Sequence, residues 1–316
     1  MNNNILCITP IDHLENVSNI LGNAGNLFQM PLISSEDLYD VLRTKNITVI
    51  FTNPNMQGFK LNKHLLHGSN VSTICTASTG LNHIEMEYCD NNNIQVISIT
   101  RDYELLKEIT STAEHAFGLL LSSIRKTVPA NFYAKNVGWD WRPFLGRQLN
   151  QMSVGILGLG RLGIMMAEYC SSFGAEVFYV DPHVDDKRYT RVNSIHEMMP
   201  IIDALSIHVH VNKETVHMIN NDVLCLARPG LVVVNTSRGE IVCEDDILRA
   251  IEKKLVSHYA TDVIEGEFDD NRASRLLSMP DEYVTVTPHV GGSTIDAQNL
   301  AYQFAAQKLV KILESA

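Results

Sequence analysis

The run Val154-Gly-Ile-Leu-Gly-Leu-Gly-Arg-Leu-Gly163 constrains this chain more than any other stretch. It sets a short apolar strand directly before Gly158-x-Gly160-x-x-Gly163, the turn that opens a dinucleotide-binding βαβ unit. Gly158 makes the turn, Gly160 lets a pyrophosphate approach the backbone, and Gly163 lets the next helix close on the sheet. The unpaired N–H groups of that helix then face the anion. Glycine-rich turns of this kind occur in other α/β proteins, so the downstream context matters. A helical stretch covers 164–173, and a strand over 176–180 ends in Asp181, 23 residues after Gly158. That is where a carboxylate takes the adenosine ribose hydroxyls. A carboxylate there accepts from a 2′-OH and repels a 2′-phosphate, which favours NAD over NADP. His183, Lys187 and Arg188 just downstream are read as a polar loop or, alternatively, as groups able to reach a phosphate.

A chain of 316 residues, 45% of them hydrophobic, exceeds what one core usually holds, so two domains are expected. The net charge of −11, without any basic run, argues against nucleic acid as the main partner. No apolar stretch approaches the roughly 18 residues of a membrane span, and the polar start Met1-Asn-Asn-Asn4 does not read as a signal peptide. Six cysteines with no CxxC pattern read as reduced core thiols of a cytoplasmic protein.

Strand-like runs at 4–9, 47–51, 71–75 and 94–99 alternate with short helical ones at 61–66 and 84–90, which predicts a small parallel α/β sheet. One long helix is expected from Glu104 to about Arg125, before Pro129. The aromatic segment 131–144, with Trp139 and Trp141, is either a packed arm at a subunit contact or an ordinary loop. Further strands are expected at 204–209, 231–235, 257–261 and 283–287, with a helix at 245–253 and a last one at 294–313. Periodicity alone leaves open which domain owns that last helix.

Doubly wound sheets bind ligands outside the carboxyl ends of their strands. Three such ends carry polar residues: Thr236-Ser-Arg238, Asp262 followed by Glu265 and Glu267, and Thr287-Pro-His289. An arginine can grip a carboxylate as a bidentate fork, and an imidazole held by an acid can pass a proton. Together they suit hydride transfer at a 2-keto acid; salt bridges capping strand ends are the competing reading. His208 and His210 share a strand face but lack a third metal ligand, so they are read as cofactor-cleft lining or packing. His115, mid-helix, reads as a hydrogen-bonded buried histidine.

The chain resembles the D-isomer-specific 2-hydroxyacid dehydrogenases over nearly its whole length. The resemblance rests on Thr79-Gly-Leu-Asn-His-Ile84, Thr112-Ala-Glu-His115, the 154–163 run, His208-Val-His-Val-Asn-Lys-Glu-Thr215, Arg228-Pro-Gly230, Asn235-Thr-Ser-Arg-Gly239, Asp262-Val263 and Thr287-Pro-His-Val-Gly-Gly-Ser-Thr294. It implies catalytic roles for Arg238, for His289 and for Glu267 as the acid partner of the histidine, the spacing from Asp262 favouring Glu267 over Glu265. It implies that Asp262 contacts the nicotinamide carboxamide, and that Arg161, Leu162, His208 and Thr236 join Gly158, Gly160, Gly163 and Asp181 around NAD. The backbone at Ser78, Thr79 and Gly80 would take the substrate carboxylate beside Arg238. The implied fold is a Rossmann-type doubly wound sheet over 101–291 and a smaller flavodoxin-like substrate domain over 1–100, completed by 292–316. Hinges near 100 and 291 and a homodimer formed through the nucleotide domain go with it.

The chain departs from the family's pattern at 99–108, which is longer and charged, with Arg101 placed to face a cleft or solvent. Asn53, Asn55 and Gln57 offer no phosphate clamp. The expected substrate is therefore another 2-keto or 2-hydroxy acid, sugar-derived ones included. D-3-phosphoglycerate is the alternative, and a catalytically inactive NAD-sensing scaffold is the alternative of another class.

Overall fold

The computed structural model describes residues 3–54, 58–267 and 274–315. It forms two compact units, Met1–Ile109 with Ser293–Ala316, and Thr110–Gly292. Each is built on one parallel sheet.

In the first unit β1 (Asn3–Cys7), β2 (Gly25–Gln29), β3 (Val49–Thr52), β4 (Thr73–Thr76) and β5 (Gln95–Ile97) pair in the order β2-β1-β3-β4-β5. That is the flavodoxin-like order. Every residue of β3 and β4 is buried, as expected of parallel strands covered on both faces. One face packs on the helices Val17–Ala24 and Ile295–Ser315, the last helix contributing Ala301, Tyr302, Ala305, Ala306 and Leu309. The other face packs on Ser35–Thr44, Lys63–Leu66 and Met86–Asn91.

Two features differ from the sequence expectation. β2 was not anticipated: it is a half-exposed edge strand reading Gly-Asn-Leu-Phe-Gln, which lacks the apolar run of an interior strand. The single long helix is two, Tyr103–Glu108 and Ser111–Ile124. The break falls at Ile109-Thr110, where two β-branched side chains, followed by the hydroxyl residues Ser111 and Thr112, disfavour a helix interior. The unit boundary accordingly follows Ile109 rather than residue 100, because the first of these helices inserts Leu106 into the first core.

In the second unit β6 (Ser153–Leu157), β7 (Glu176–Val180), β8 (Thr190–Arg191), β9 (Ala204–Ile207), β10 (Leu231–Asn235), β11 (Val256–Thr261) and β12 (Val284–Val286) pair in parallel as β12-β11-β10-β9-β6-β7-β8. This is the Rossmann-type doubly wound order, and its direction reverses between β6 and β9. Ser111–Ile124 and Arg161–Ser172 cover one face; Asn221–Leu224 and Glu244–Glu252 help cover the other. The 131–144 segment contains the end of a helix, Thr127–Asn136, none of whose residues is buried. Among the described residues no helix is long and apolar enough to cross a membrane. All six cysteines are free, four of them buried.

Candidate active site

The switch point carries the glycine turn. Gly158 has φ +88, and a Cβ there would lie 2.8 Å from the His208 carbonyl oxygen. The helix Arg161–Ser172 begins at Gly160 with no side-chain cap. A Cβ on Gly160 would meet nothing within 4 Å, so there is open space beside the residue that caps this helix. Arg161 and Leu162 are half-buried at this helix start, and burial pushes the Arg161 guanidinium down from its ordinary value.

Asp181 closes the turn. Its Oδ2 accepts from the Leu159 amide at 2.8 Å, and Oδ1 from the amides of His183 at 2.8 Å and Val184 at 2.9 Å. Burial pushes this carboxyl up, but the three amides outweigh it and hold it below the usual range, so it is ionised at neutral pH. The neighbouring cations are engaged: Lys187 pairs with Asp185, and Arg188 with Glu168 and Asp186. His208 shares a hydrogen bond between Nε2 and Ser206 Oγ at 2.8 Å, and burial pushes its ring down to about 4. The Thr236 hydroxyl is buried with no partner among the described residues, an orphan that a ligand could satisfy.

β10, β11 and β12 lie side by side with Asn235 opposite Thr261 and Thr261 opposite Val286, so the residues after each strand share one edge. The turn after β10 is braced by fully buried Asn235. Its Nδ2 donates to the Arg238 carbonyl at 2.9 Å, and its Oδ1 accepts from the Ser237 amide and hydroxyl. At Gly239 a Cβ would fall 2.0 Å from the Ile264 carbonyl carbon, so this turn rests directly on the loop after β11. The half-buried Arg238 donates from Nη1 to the Ser237 carbonyl at 2.6 Å.

His289 sits in the left-handed region at φ +53, its amide donating to the Asp262 and Thr287 carbonyls at 2.9 and 3.0 Å. Its Nδ1 lies 2.8 Å from Glu267 Oε1. Glu265 instead faces His217, whose Nε2 is 3.1 Å from both carboxylate oxygens. Asp262 has partners within the protein as well. At 2% exposure, its Oδ1 accepts from Thr287 Oγ1 at 2.5 Å and the Val290 amide at 2.8 Å, and its Oδ2 from the Gly291 amide at 2.8 Å. Burial pushes this carboxyl up, yet the hydrogen bonds from His115, Thr287, Val290 and Gly291 hold it below the usual range. It anchors the loop that carries His289, which the resemblance alone did not suggest. His115 and Thr287 belong to the same network and were missed as site residues, although both lie in the stretches that carry the resemblance.

In the first unit, the loop after β4 is folded by Ser78 Oγ donating to the Gly80 carbonyl at 2.6 Å and by Thr100 Oγ1 donating to the Thr79 carbonyl at 2.9 Å. The amides of Thr79 and Gly80 have no acceptor among the described residues. Asn55 and Gln57 lie outside the described residues. The Oδ1 of Asn53 is buried without a partner among those described.

The profile described as D-isomer specific 2-hydroxyacid dehydrogenase, NAD binding domain, matches residues 117–291. D-3-phosphoglycerate dehydrogenase of Bacillus subtilis (strain 168) is 30% identical over 239 residues, 74% of this chain and 44% of that one. Glyoxylate reductase of Thermofilum pendens is 29% identical over 257 residues, 78% of this chain and 73% of that one. Among solved structures, D-lactate dehydrogenase from Aquifex aeolicus, complexed with NAD and lactic acid, superposes with a TM-score of 0.80 at 25% identity, covering 99% of this chain and 96% of that one.

Proposed function

The chain belongs to the D-isomer-specific 2-hydroxyacid dehydrogenase family and is an NAD-dependent oxidoreductase, and from that premise we propose which of its residues carry the reaction. The Gly158–Gly163 turn, with Arg161 and Leu162 at the helix start, Asp181, His208 and the Thr236 hydroxyl would hold NAD. The open space at Gly160 and the orphaned hydroxyl fit that group. Bound NAD(H) supplies the hydride exchanged with C2 of the acid.

Arg238 takes the substrate carboxylate through two parallel N–H···O bonds. In the first unit, taken by itself, the amides of Thr79 and Gly80 are donors open to an anion, whereas the Ser78 amide is turned to Thr76 Oγ1. His289 hands a proton to the keto oxygen on reduction and takes it back from the hydroxyl on oxidation. Glu267 holds the imidazole at Nδ1 and balances its charge, leaving Nε2 as the transferring nitrogen. The observation that carries this reading is the 2.8 Å contact between His289 Nδ1 and Glu267, because a mere nucleotide sensor needs no oriented acid. Incubation with NADH and a panel of 2-keto acids, phosphorylated and sugar-derived ones included, tests it through loss of the reduced-nicotinamide absorbance. Turnover of none would favour the sensing scaffold.

The strand ends of the first sheet carry the neutral Thr9, Asn53, Thr76 and Ser78, with Arg101 following β5, which supports a polar, hydroxylated 2-keto acid as the first reading. D-3-phosphoglycerate is the second reading, favoured by the similarity to the Bacillus enzyme.

Glu267→Gln should lower kcat for reduction ~10²- to 10³-fold, since the ring loses the charge that steadies its donating form. Glu265→Gln, which touches His217 instead, should change kcat by less than about threefold, because an exposed ion pair contributes little. The opposite pattern in steady-state assays would exchange the two roles.

Asp181 should make NADH bind ~10- to 10³-fold tighter than NADPH, through repulsion of the 2′-phosphate by an ionised carboxylate. Asp181→Ser should narrow that gap mostly by weakening NADH, as measured by fluorescence titration. Equal dissociation constants in the unsubstituted protein would contradict it.

We assign the protein to a reducing compartment such as the cytoplasm, on its free and mostly buried thiols. We also propose a homodimer through the second unit. Trp139 and Trp141 are 94% and 71% exposed, next to exposed Val137 and Leu145, an apolar surface of the kind that interfaces bury. Trp139→Glu combined with Trp141→Glu should leave a monomer by light scattering at micromolar concentration, where the unsubstituted protein should be a dimer; a monomer in both would contradict the proposal.

A further inference from the structure

We propose that His115 is a positioning residue, which aims His289 by holding the 287–291 loop through Thr287 and Asp262. This rests on the assignment of His289 as the proton carrier. His115 stands on the helix Ser111–Ile124, and its Nε2 lies 2.9 Å from Thr287 Oγ1 and 3.3 Å from Asp262 Oδ1. Those distances fix the ring's form. Thr287 spends its hydroxyl hydrogen on Asp262 Oδ1, so toward His115 it offers only a lone pair, and the carboxylate is an acceptor as well. The Nε2 of His115 must therefore carry a hydrogen and share it between the two oxygens.

The consequence runs down the loop. Asp262 accepts the amides of Val290 and Gly291 with its carboxylate, and the amide of His289 with its main-chain carbonyl. His289 meanwhile occupies φ +53, a conformation that a residue with a Cβ keeps only when its surroundings enforce it. Asp262 alone bears three loop contacts. His115 and Thr287 fix the carboxylate's own orientation, at 24% and 2% side-chain exposure for the histidine and the aspartate. Water therefore has little access to replace the His115 donor. A shift of the carboxylate would pass to residues 289–291 and carry Nδ1 away from Glu267, whereas the Arg238 turn is braced separately by Asn235.

Glutamine can place an amide N–H near the position of Nε2; asparagine is too short. His115→Asn should thus lower kcat ~10- to 100-fold, the scale of a misplaced catalytic group. The keto-acid KM and the NADH dissociation constant from direct titration should stay within about threefold, and His115→Gln should restore most of kcat. Thr287→Val combined with His115→Asn should cost little more than the worse single change, because the two act on one element. Unaltered kcat in His115→Asn, equal losses in the Gln and Asn variants, or full additivity with Thr287→Val would each overturn the proposal. His289→Asn separates the two claims. If that variant turns over normally, the assignment of His289 falls; if it is inactive while His115→Asn is not impaired, only the role of His115 falls.

Discussion

Arg238→Lys should lower kcat/KM for the keto acid by ~10²- to 10⁴-fold, because a lysine keeps the charge but cannot make the two parallel hydrogen bonds of the planar fork. The position leaves little room for compensation. Asn235 fixes the Arg238 carbonyl, and Gly239 brings the turn against the Ile264 backbone with no space for a Cβ. The side-chain root is therefore set by the backbone, and a lysine cannot move its ammonium to where both carboxylate oxygens would be served. NADH affinity, measured by titration, should stay within about threefold, since Arg238 lies on the β10 turn and not among the amides that face a pyrophosphate. Near-normal turnover, or an equal loss of NADH binding, would remove Arg238 from the role of carboxylate fork.

Acid should weaken the first unit through a single ring. His83 is 3% exposed and hydrogen-bonded at Nε2 to Thr76 Oγ1 at 3.0 Å, and burial pushes it down to about 4. In the unfolded chain a histidine titrates near 6.5. Below that value the unfolded state takes up a proton that the folded state refuses, so stability is complete above pH ~6.5 and falls as the pH drops toward 4, where the folded ring also charges. At pH 4.5 the loss from this ring is ~2–3 kcal/mol, a large part of the margin of an ordinary domain. Urea midpoints of the first unit should show it as a decline between pH 7 and 4.5 that His83→Gln makes shallower. If the two proteins decline in parallel, His83 is not the source.

The legible parts of the fold were those where one local pattern had one physical meaning. Leu231-Val-Val-Val-Asn235 reads as a central parallel strand because each position is covered, and all five residues are buried. β2 was illegible for the converse reason: at a sheet edge, backbone pairing to β1 suffices and the side chains stay polar or half-exposed. The break at Ile109-Thr110 hid inside an apolar period that two helices continue across it. In the site, Arg238, Glu267 and His289 stood out as polar groups after apolar strands. His115 did not, since its partner Thr287 lies 172 residues away and nothing local distinguishes a histidine that braces a loop from one that fills a core. Asp262 was visible as a residue, but its bracing of the loop was not, because a sequence shows a carboxylate and not how many amides are folded around it.

The last helix carries a consequence for how the molecule is made. Residues 110–292 form a continuous unit, whereas the first sheet receives Ala301, Tyr302, Ala305 and Leu309 from the far end of the chain. During synthesis from the amino end, the strands emerge first and wait through the whole second unit for the helix that covers them. The part of that face beyond the helix Val17–Ala24, where Phe51 meets Tyr302 and Cys75 meets Ala305 in the folded unit, stays open to water on the ribosome meanwhile. The second unit can thus reach its final state before the first does, and the nascent strands of the first are the part most in need of a chaperone.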